Sequence, residues 1–447
     1  MTRNDSRHAR LQLKADIFLI GRTSPPMVPF RPLLRAVALV FIAALVLSPA
    51  PLRAAAPAAV TLTLGDRTVT TRQFTADGIP VVPRWTAPLP PGNPPAPATW
   101  PLVRSAEHVT VWRPARRDEG GYNHYAALIH HAGQFYALWA NHPLGEDAPG
   151  QRVLFAVSAD GRRWTTPREL FAAPGPYRRA GEEGLALKPD RWVATPAGLY
   201  AVTYVHGTPV YPVARRVEPD GRLGPVFLLR PLPAGALRPR FAPDLAVAPA
   251  EAAAIRQYYV DHDLVSWWSH VAGEGVPARA SDGAALMEPF SYRSVHGPVL
   301  CLRSAQGADT KPRQRNRLYV SFPTAEGGWS IPQPTNIPDA PSRAQALRLP
   351  DGRVVLVGNQ IATRFDQAQH LRRDPLTLAL SPDGETFDRV FALRAGAPGK
   401  HRWAGITGRG IGFSYPSALV HDGALFILYS VNKEEIALSR VPLAALE

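Results

Sequence analysis

Short apolar segments separated by turn residues recur along almost the whole chain after residue 57. Each is about 5–8 residues long, is rich in β-branched and aromatic side chains, and ends at Gly, Pro or an Asp-Gly pair. Examples are HYAALIHH, QFYALWAN, LYAVTYVH, RLYVSFPT, LTLALSPD and ALFILYSV. No apolar periodicity of the helical kind extends beyond about three turns. The pattern therefore predicts an all-β chain that is built mainly from hairpins.

Two of the Asp-Gly turns share a longer pattern, S-x-D-G-x-x-[WF]. One is SADGRRW, with Ser158, Asp160, Gly161 and Trp164, and the other is SPDGETF at 381–387. The Ser and Asp side chains of such a turn can hold its backbone amides, while the aromatic side chain packs onto the sheet. The pattern resembles the Asp-box hairpin of sialidases and other secreted β-propellers, with one residue fewer between Asp and Gly. We interpret these residues as structural.

The spacing of the two turns predicts the size of the propeller. They lie 223 residues apart, which corresponds to about four blades of roughly 50–55 residues each. Residues 57–447 would then form a single β-propeller domain of seven four-stranded blades, and six blades with long insertions are the alternative.

Residues 1–56 are predicted to precede this domain as an N-terminal extension with a secretory signal peptide. The apolar run at 36–47 follows Arg31 and Arg35 and precedes a segment rich in small residues, which is the arrangement of such a signal. As a helix it would span only about 18 Å, short of the roughly 30 Å hydrocarbon core. We therefore expect a secreted or periplasmic protein with no stable membrane span after cleavage. Met27 is an alternative start.

Composition and charge narrow the choice of partner. The chain has 447 residues, of which 45% are apolar, so global disorder is excluded. Its net charge of +14 falls to +8 without residues 1–56, and 45 of its 50 basic residues are Arg. The charge is compatible with an acidic polysaccharide or glycan and also with codon bias. The absence of a Lys-rich run or a phosphate-binding loop argues against nucleic acid and nucleotide cofactors. We expect a monomer.

The single cysteine, Cys301, excludes an intramolecular disulfide. It is either a small buried residue or, with His296 nearby, part of a mixed metal site. The sequence requires no cofactor and leaves a structural metal ion open.

A first cluster of candidate functional residues lies at 121–164. Asn123 and His124 open one strand, and His142 ends the next. The turn lies midway between the two histidines, so both should lie at the same end of the hairpin, beside a polar loop. The sequence therefore predicts that two imidazoles meet at one rim of the propeller.

A second cluster lies at 199–224. Tyr200 and Tyr204 share one face of a predicted strand, and Arg215 or Arg216 points inward from the next. Packing and solvent contact are the structural alternatives for these side chains.

The chain resembles the secreted propeller polysaccharide lyases, namely ulvan lyases and related rhamnosyl-glucuronate lyases. The resemblance lies in the run from Asn123 to Trp164 and in three further segments, ARRVEPDGRLGP, LRLPDGRVVLVGN and the C-terminal GFSYPSALVHDGALFILYSV. The resemblance implies β-elimination at a uronic acid. It would assign Arg215 to the substrate carboxylate and Tyr200 with His124 to the proton transfers, with His142 as a second catalytic histidine. Asn123, Tyr204 and Arg216 would bind substrate.

Two other hypotheses remain open at this point. A sialidase-like glycoside hydrolase would need three arginines for the substrate carboxylate, a Tyr/Glu nucleophile pair and an Asp that acts as the acid. The nearest arginine motif in this chain, VPRW at 82–85, does not fit the form expected of a sialidase. A non-catalytic glycan-binding propeller could stack sugars on tryptophan side chains such as Trp267 and Trp268, which lie near His262 and His270, although packing in the blade core is the structural alternative for most tryptophans.

Overall fold

The computed structural model describes residues 58–89, 100–305, 311, 314–361, 373–405 and 410–447. Within these ranges 22 strands and two α-helices, numbered here in chain order, confirm the all-β prediction. The compact unit that contains them spans Ala56–Glu447. The predicted signal at 36–47 lies outside the described residues. No described helix is long and apolar enough to cross a bilayer.

Five antiparallel four-stranded sheets form the blades of a propeller. Blade 1 contains β4 (Tyr122–His131), β5 (Gln134–His142), β6 (Arg152–Ser158) and β7 (Arg168–Phe171), and blade 2 contains β8 (Ala186–Thr195), β9 (Gly198–His206), β10 (Tyr211–Val217) and β11 (Leu223–Leu228). Blade 3 contains β12 (Leu286–Ser294), β13 (Gly297–Ser304), β14 (Arg317–Ser321) and β15 (Gln333–Pro338), and blade 4 contains β16 (Gln345–Arg348), β17 (Val354–Gly358), β18 (Leu376–Ser381) and β19 (Arg389–Arg394).

Blade 5 joins the two ends of the propeller region in one sheet. It contains β20 (Phe413–His421), β21 (Ala424–Val431) and β22 (Glu435–Pro442), and its outer strand is β3 (Glu107–Trp112). Strand β3 pairs with β22, with Val109 opposite Leu438. A separate hairpin is formed by β1 (Val60–Leu64) and β2 (Arg67–Thr71).

The prediction of seven blades, and the alternative of six, are wrong. Residues 229–285, between β11 and β12, do not form a blade but contain α1 (Pro249–Asp261) and α2 (Ser269–Ala272); we call them the helical insert. The first strands of the other neighbouring blades contact each other directly, whereas α1 lies against β8 and α2 lies against β12. The helical insert therefore occupies the sector between blades 2 and 3.

Both Asp-box turns have the structural role that the sequence predicted. Asp160 Oδ1 accepts hydrogen bonds from the backbone N–H groups of Arg162 and Arg163, both at 2.8 Å, and Ser158 Oγ accepts one from Gly161 at 2.9 Å. The second turn repeats these contacts through Ser381 and Asp383. Each follows the third strand of its blade, β6 or β18.

Candidate functional site

The first strand of each blade is its inner strand, since it contacts the first strand of a neighbouring blade. Four of these five inner strands contain a β-bulge near their first residues. The extra residues in β4, β8, β12 and β20 include, respectively, Tyr125, Asp190, Glu288 and Tyr415. Proline follows Glu288 and Tyr415 directly, and because proline has no N–H group it cannot donate to the strand ladder. The sequence thus favours a bulge at the same position in different blades.

The bulges turn three side chains out of the regular alternation of the strand. Tyr125, Glu288 and Tyr415 have φ values of 55°, 50° and 58°, a left-handed conformation that is uncommon for residues other than glycine. Such backbone conformations concentrate at functional sites, where the surrounding structure maintains them. The three side chains meet near the propeller axis: the Tyr125 and Tyr415 ring centroids lie 5.3 Å apart, and Tyr415 contacts Glu288.

Tyr415, Glu288 and Arg303 form a connected group. The Tyr415 hydroxyl donates to Glu288 Oε1 at 2.6 Å, and Arg303 Nε donates to Glu288 Oε2 at 2.5 Å. Arg303 Nη2 also donates to Tyr415 Oη, at 3.2 Å. Arg303 lies on β13, opposite Met287, so register brings it beside the bulge residue Glu288.

The charges around Glu288 keep it ionised. Burial alone would raise its pKa, but the Arg303 guanidinium and the hydrogen bonds from Arg303 and Tyr415 lower the pKa to about 2. Burial and the negative charge of Glu288 raise the pKa of Tyr415. At neutral pH the pair is therefore a carboxylate that accepts a hydrogen bond from a protonated phenol.

Two further arginines flank Tyr415. The Cζ atoms of Arg343 and Arg373 lie 4.9 Å and 5.0 Å from its ring centroid. Arg343 precedes β16, and Arg373 is paired with Gly412 next to β20. A Cβ at Gly412 would lie 2.2 Å from the carbonyl oxygen of Arg373, so glycine is needed for this close approach.

Asp339 is a buried acid in the loop between β15 and β16. Neither of its oxygens accepts a well-aligned hydrogen bond from another described residue. Burial raises its pKa to about 7, although Arg303 and Arg373 act in the opposite direction. This carboxyl group is therefore partly protonated near neutral pH.

His124 is the one predicted catalytic residue that lies with these groups. Its Nδ1 lies 2.7 Å from Ser430 Oγ, and its ring centroid lies 4.0 Å from that of Tyr415. Burial, together with the positive charges of Lys433, Arg373, Arg343 and Arg303, lowers its pKa well below the usual value. The imidazole is thus neutral. We call His124, Tyr125, Glu288, Arg303, Arg343, Arg373 and Tyr415 the central cluster.

A carboxylate next to the central cluster is partly exposed. Asp147 Oδ1 accepts a hydrogen bond from the Tyr125 hydroxyl at 2.9 Å, and Oδ2 lies 3.0 Å from Lys188 Nζ. The Asp147 side chain is 40% exposed. Lys188 also lies over the rings of Tyr125 and Trp268, so blades 1 and 2 and the helical insert meet at this edge.

The structure does not bring Tyr200 and Arg215 to His124. Tyr200 lies opposite Val193, beyond the bulge of β8, and Arg215 donates to the carbonyl oxygens of Gly224 and Leu170. No described hydrogen bond, ion pair or ring contact of either residue reaches the central cluster. The pKa of Tyr200 is raised, because burial outweighs a neighbouring Arg, rather than lowered as a proton-accepting role would need.

The two histidines of the first cluster lie at the same hairpin end, as predicted, but they do not form one site. Tyr122 pairs with His142 and His124 with Ala140. His142 Nε2 lies 2.9 Å from the Pro149 carbonyl oxygen, and its Nδ1 accepts from the N–H of Leu144 at 3.0 Å. Its hydrogen bonds are all to the adjoining loop, so its position is structural.

The predicted substrate-binding residues also have local partners. Asn123 donates to the carbonyl oxygens of Gly120 and Glu434 and accepts from Trp139. Tyr204 donates to Glu274, and Arg216 forms an ion pair with Glu218. None of these contacts includes a member of the central cluster.

Six members of the central cluster were not predicted from the sequence: Tyr125, Glu288, Arg303, Arg343, Arg373 and Tyr415. A usable signal was present: Lys188-Pro189-Asp190, Glu288-Pro289 and Tyr415-Pro416 each place a polar or aromatic residue beside proline near the start of an inner strand. Arg84 of the VPRW motif pairs with Glu385 and forms no described contact with the central cluster, so this motif does not supply an arginine to the site.

The described residues contain no group of three or more His, Cys, Asp or Glu side chains that could hold a metal ion. Cys301 is buried in an apolar cluster, and burial raises its pKa to about 12. His296 is exposed.

Comparisons with known proteins agree with the propeller fold. A BNR repeat-like domain model matches residues 253–427, and a model described as an N-terminal beta propeller matches 107–191. No curated protein sequence matches the chain. These matches and the Asp-box turns support assignment to the sialidase-like Asp-box β-propeller superfamily.

The solved structures that match include sialidases and trans-sialidases. One described as a sialidase shares 19% identity with a TM-score of 0.59, over 81% of this chain and 35% of that chain. The Trypanosoma rangeli sialidase in complex with sialic acid shares 12% identity with a TM-score of 0.46, over 78% and 60%. The intramolecular trans-sialidase from Ruminococcus gnavus shares 11% with a TM-score of 0.47, over 76% and 98%. The chain spans about a third of the length of the first of these. The first of these matches shows the β-propeller fold.

Proposed function

We propose that this protein is a sialidase-like glycosidase that hydrolyses the glycosidic bond of a sugar acid. The observation that carries the proposal is the group formed by Tyr415, Glu288 and Arg303, in which a phenol donates to a buried carboxylate that is itself held by a guanidinium. Sialidases are exceptional among glycosidases in using a tyrosine nucleophile.

The first step follows from the hydrogen bond between Tyr415 and Glu288. Tyr415 Oη attacks the anomeric carbon while its proton passes to Glu288, which is ionised at neutral pH and is therefore able to accept it. The bond from the anomeric carbon to the leaving oxygen breaks, and that oxygen takes a proton from the protonated form of Asp147, in which the ion pair with Lys188 is released. We assign this role to Asp147 because its carboxyl group is partly exposed and contacts Tyr125.

The second step reverses these transfers. Asp147, now ionised, accepts a proton from water, and the water oxygen attacks the anomeric carbon. Tyr415 leaves and recovers its proton from Glu288. Two displacements at the same carbon give net retention of configuration.

The arginines next to Tyr415 suit an acidic sugar. Guanidinium groups bind carboxylates through paired hydrogen bonds, and Arg373 has two buried nitrogen donors, Nε and Nη1, without a partner among the described residues. We assign the sugar carboxylate to Arg373, with Arg303 holding the reacting pair.

A lyase on ulvan-like uronic-acid polysaccharides is the hypothesis that the sequence favoured, and its site would need His124, Tyr200 and Arg215 in one cleft. Only His124 lies in the central cluster. We therefore propose hydrolysis ahead of β-elimination, with non-catalytic glycan binding as the third outcome to be distinguished.

The direct test is to compare products. We expect the protein to release the fluorophore from 4-methylumbelliferyl α-ketosides of N-acetylneuraminic acid or related 2-keto sugar acids, without a rise in absorbance near 235 nm on uronate polysaccharides. Tyr415→Phe and Glu288→Gln should lower kcat by about 10²–10⁴-fold. Tyr211→Phe is the matched control, because it also removes a buried hydroxyl hydrogen bond, to the Leu237 carbonyl oxygen, and should leave kcat unchanged.

Three other results would count against the proposal. Absorbance at 235 nm that depends on Tyr200 and Arg215 would establish the lyase. Tight glycan binding without any product would establish a binding protein. Full activity of Tyr415→Phe would show that the reaction does not use this phenol.

The location of the substrate is a further part of the proposal. A glycan-degrading enzyme with the predicted signal at 36–47 would act outside the cytoplasm. Cell fractionation with N-terminal sequencing should find a mature chain that begins near residue 57, and a cytoplasmic protein that retains residues 36–47 would contradict export.

A further inference from the structure

Two buried guanidinium groups in the central cluster have most of their N–H groups unpaired. Arg343 is 1% exposed and Arg373 is 3% exposed. In each, Nη2 donates to a backbone carbonyl oxygen, that of Ala126 at 3.0 Å and that of Pro341 at 3.1 Å. Nε and Nη1 of both residues have no hydrogen-bond partner. Buried donors are rarely left without a partner in native proteins, so these four atoms point to an absent acceptor.

The acidic side chains that the structure describes act on these two arginines only through space and form no ion pair with them. Arg303 is matched by Glu288, but neither Arg343 nor Arg373 forms an ion pair with a described acidic side chain. Asp339 is the remaining buried acid nearby, and it makes no hydrogen bond to either arginine. Because burial holds the pKa of Asp339 at about 7, it supplies less than a full negative charge at and below neutral pH. A buried charge without a partner is strongly unfavourable.

Arg343 is held in place from the helical insert. Its Cζ lies 3.0 Å from the ring centroid of Trp267. Asp190, the bulge residue of β8, in turn accepts hydrogen bonds from the Trp267 backbone N–H and from Ser266 Oγ, both at 2.9 Å. A fixed arginine loses little conformational entropy when it binds an anion, so the site is preorganised.

We propose that the sugar cleaved at Tyr415 carries two acidic groups, one bound by Arg373 and the other by Arg343. This inference rests on the proposed function and names its substrate class: a sugar acid with a second carboxylate or with a sulfate ester. Both groups are compact anions with several acceptor oxygens, so either could accept hydrogen bonds from the unpaired Nε and Nη1 atoms of an arginine.

The test uses three synthetic 4-methylumbelliferyl ketosides of the same 2-keto sugar acid. They differ only in the group at the terminal carbon of the sugar, which is a hydroxyl, a carboxylate or a sulfate ester. We expect kcat/KM to be at least about 100-fold higher for one or both dianions than for the hydroxyl compound, because a site built for a polar group rejects the analogue that lacks it. The two dianions identify which second acid the natural substrate carries.

Variants separate the two arginines. Arg343→Gln should abolish the preference, so that kcat/KM becomes similar for the dianions and the hydroxyl compound. Arg373→Gln should lower kcat/KM on all three compounds and keep the ratio between them. Arg343→Lys keeps the charge without the planar fork, and should retain part of the preference if Arg343→Gln fails to fold. Arg84→Gln is the control, because Arg84 is equally buried but pairs with Glu385, and its hydrogen bonds to Tyr292 and Gly384 do not include a member of the central cluster.

Equal activity on all three ketosides, or an unchanged preference in Arg343→Gln, would overturn this inference and leave the proposed glycosidase intact. If no ketoside is cleaved, the proposed function fails, and the inference is then judged by calorimetric binding to Tyr415→Phe. Tighter binding of the free dianionic sugar acids than of the monoanion would support it, and equal binding would overturn it.

Discussion

At the scale of single residues, burial sets the protonation states on which the proposed chemistry depends. Glu288 and Asp339 are both buried acids close to Arg303, but only Glu288 receives hydrogen bonds from that guanidinium. As a result the pKa of Glu288 is lowered to about 2, whereas that of Asp339 is raised to about 7. Direct contact with Arg303, which adds hydrogen bonds to the attraction of its positive charge, decides which acid is ionised.

The raised pKa of Asp339 predicts a specific pH dependence of stability. Between about pH 4 and pH 7 the folded protein keeps a proton here that the unfolded chain has lost, so this residue stabilises the fold at low pH and the contribution disappears as the pH rises to 7. We expect the free energy of unfolding of Asp339→Asn to increase relative to wild type by about 2–4 kcal/mol over that window and to level off above it.

Urea denaturation of both proteins at half-unit steps from pH 4.5 to pH 8 measures this difference. Taking the difference between variant and wild type cancels the titration of all other groups. A difference that does not change with pH would show that Asp339 is ionised in the folded protein throughout the range.

At the scale of elements, the Asp-box turn and the inner-strand bulge have different functions although both are local departures from the strand. The turn residue Asp383 holds the N–H groups of Glu385 and Thr386 at 2.7 Å and 3.1 Å. The bulge residues Glu288 of blade 3 and Tyr415 of blade 5 instead direct their side chains toward each other. The turn therefore stabilises its blade, and the bulges build the site.

This difference can be tested with Asp383→Ala, which removes the acceptor of two backbone donors. We expect it to lower the free energy of unfolding by about 1–3 kcal/mol, while kcat/KM per folded molecule stays unchanged. Asp388→Ala is the matched control, since Asp388 lies on the same hairpin but is exposed. A loss of kcat/KM in Asp383→Ala at temperatures where the protein is fully folded would contradict the structural role.

The strands and the Asp-box turns could be predicted from sequence because their signals are local. Apolar alternation and Asp-Gly pairs specify hairpins within about ten residues. Glu288 and Tyr415 lie 127 residues apart and meet only because the blades close into a ring, so no short pattern links them. The position of His124 at one end of a hairpin could be predicted from the local pattern. The separation of Tyr200 from His124 could not, since it depends on where each residue lies along its strand.

At the scale of the whole molecule, the helical insert explains why counting blades by spacing failed. The two Asp-box turns lie in blades 1 and 4, three blades apart, with the helical insert between them. Without the insert the spacing corresponds to about 55 residues per blade, within the usual range for blades. The length of residues 229–285 is close to that of a blade, so only their secondary structure distinguishes them from one.

The contact between the helical insert and blade 2 identifies a substitution that should destabilise the propeller. Asp190 connects the insert to blade 2: it accepts hydrogen bonds from Ser266, from the Trp267 backbone N–H and from the Tyr259 hydroxyl, and it pairs with Arg191 at 3.1 Å. Asp190→Asn is nearly isosteric, but it removes the negative charge. It also replaces one acceptor oxygen with an NH2 group, which cannot accept the hydrogen bonds that Asp190 accepts.

We expect Asp190→Asn to lower the free energy of unfolding by about 2–4 kcal/mol, since breaking a buried charged network is costly. Asp263→Asn is the matched control on the same insert, because Asp263 pairs with Arg293, whose side chain is 59% exposed, and such surface pairs contribute less than about 1 kcal/mol. Urea denaturation measures both values. Limited proteolysis should cut Asp190→Asn first within residues 229–285, because the insert would open before the blades. Equal stability of the two variants, or first cleavage within a blade, would show that Asp190 does not hold the insert against the ring.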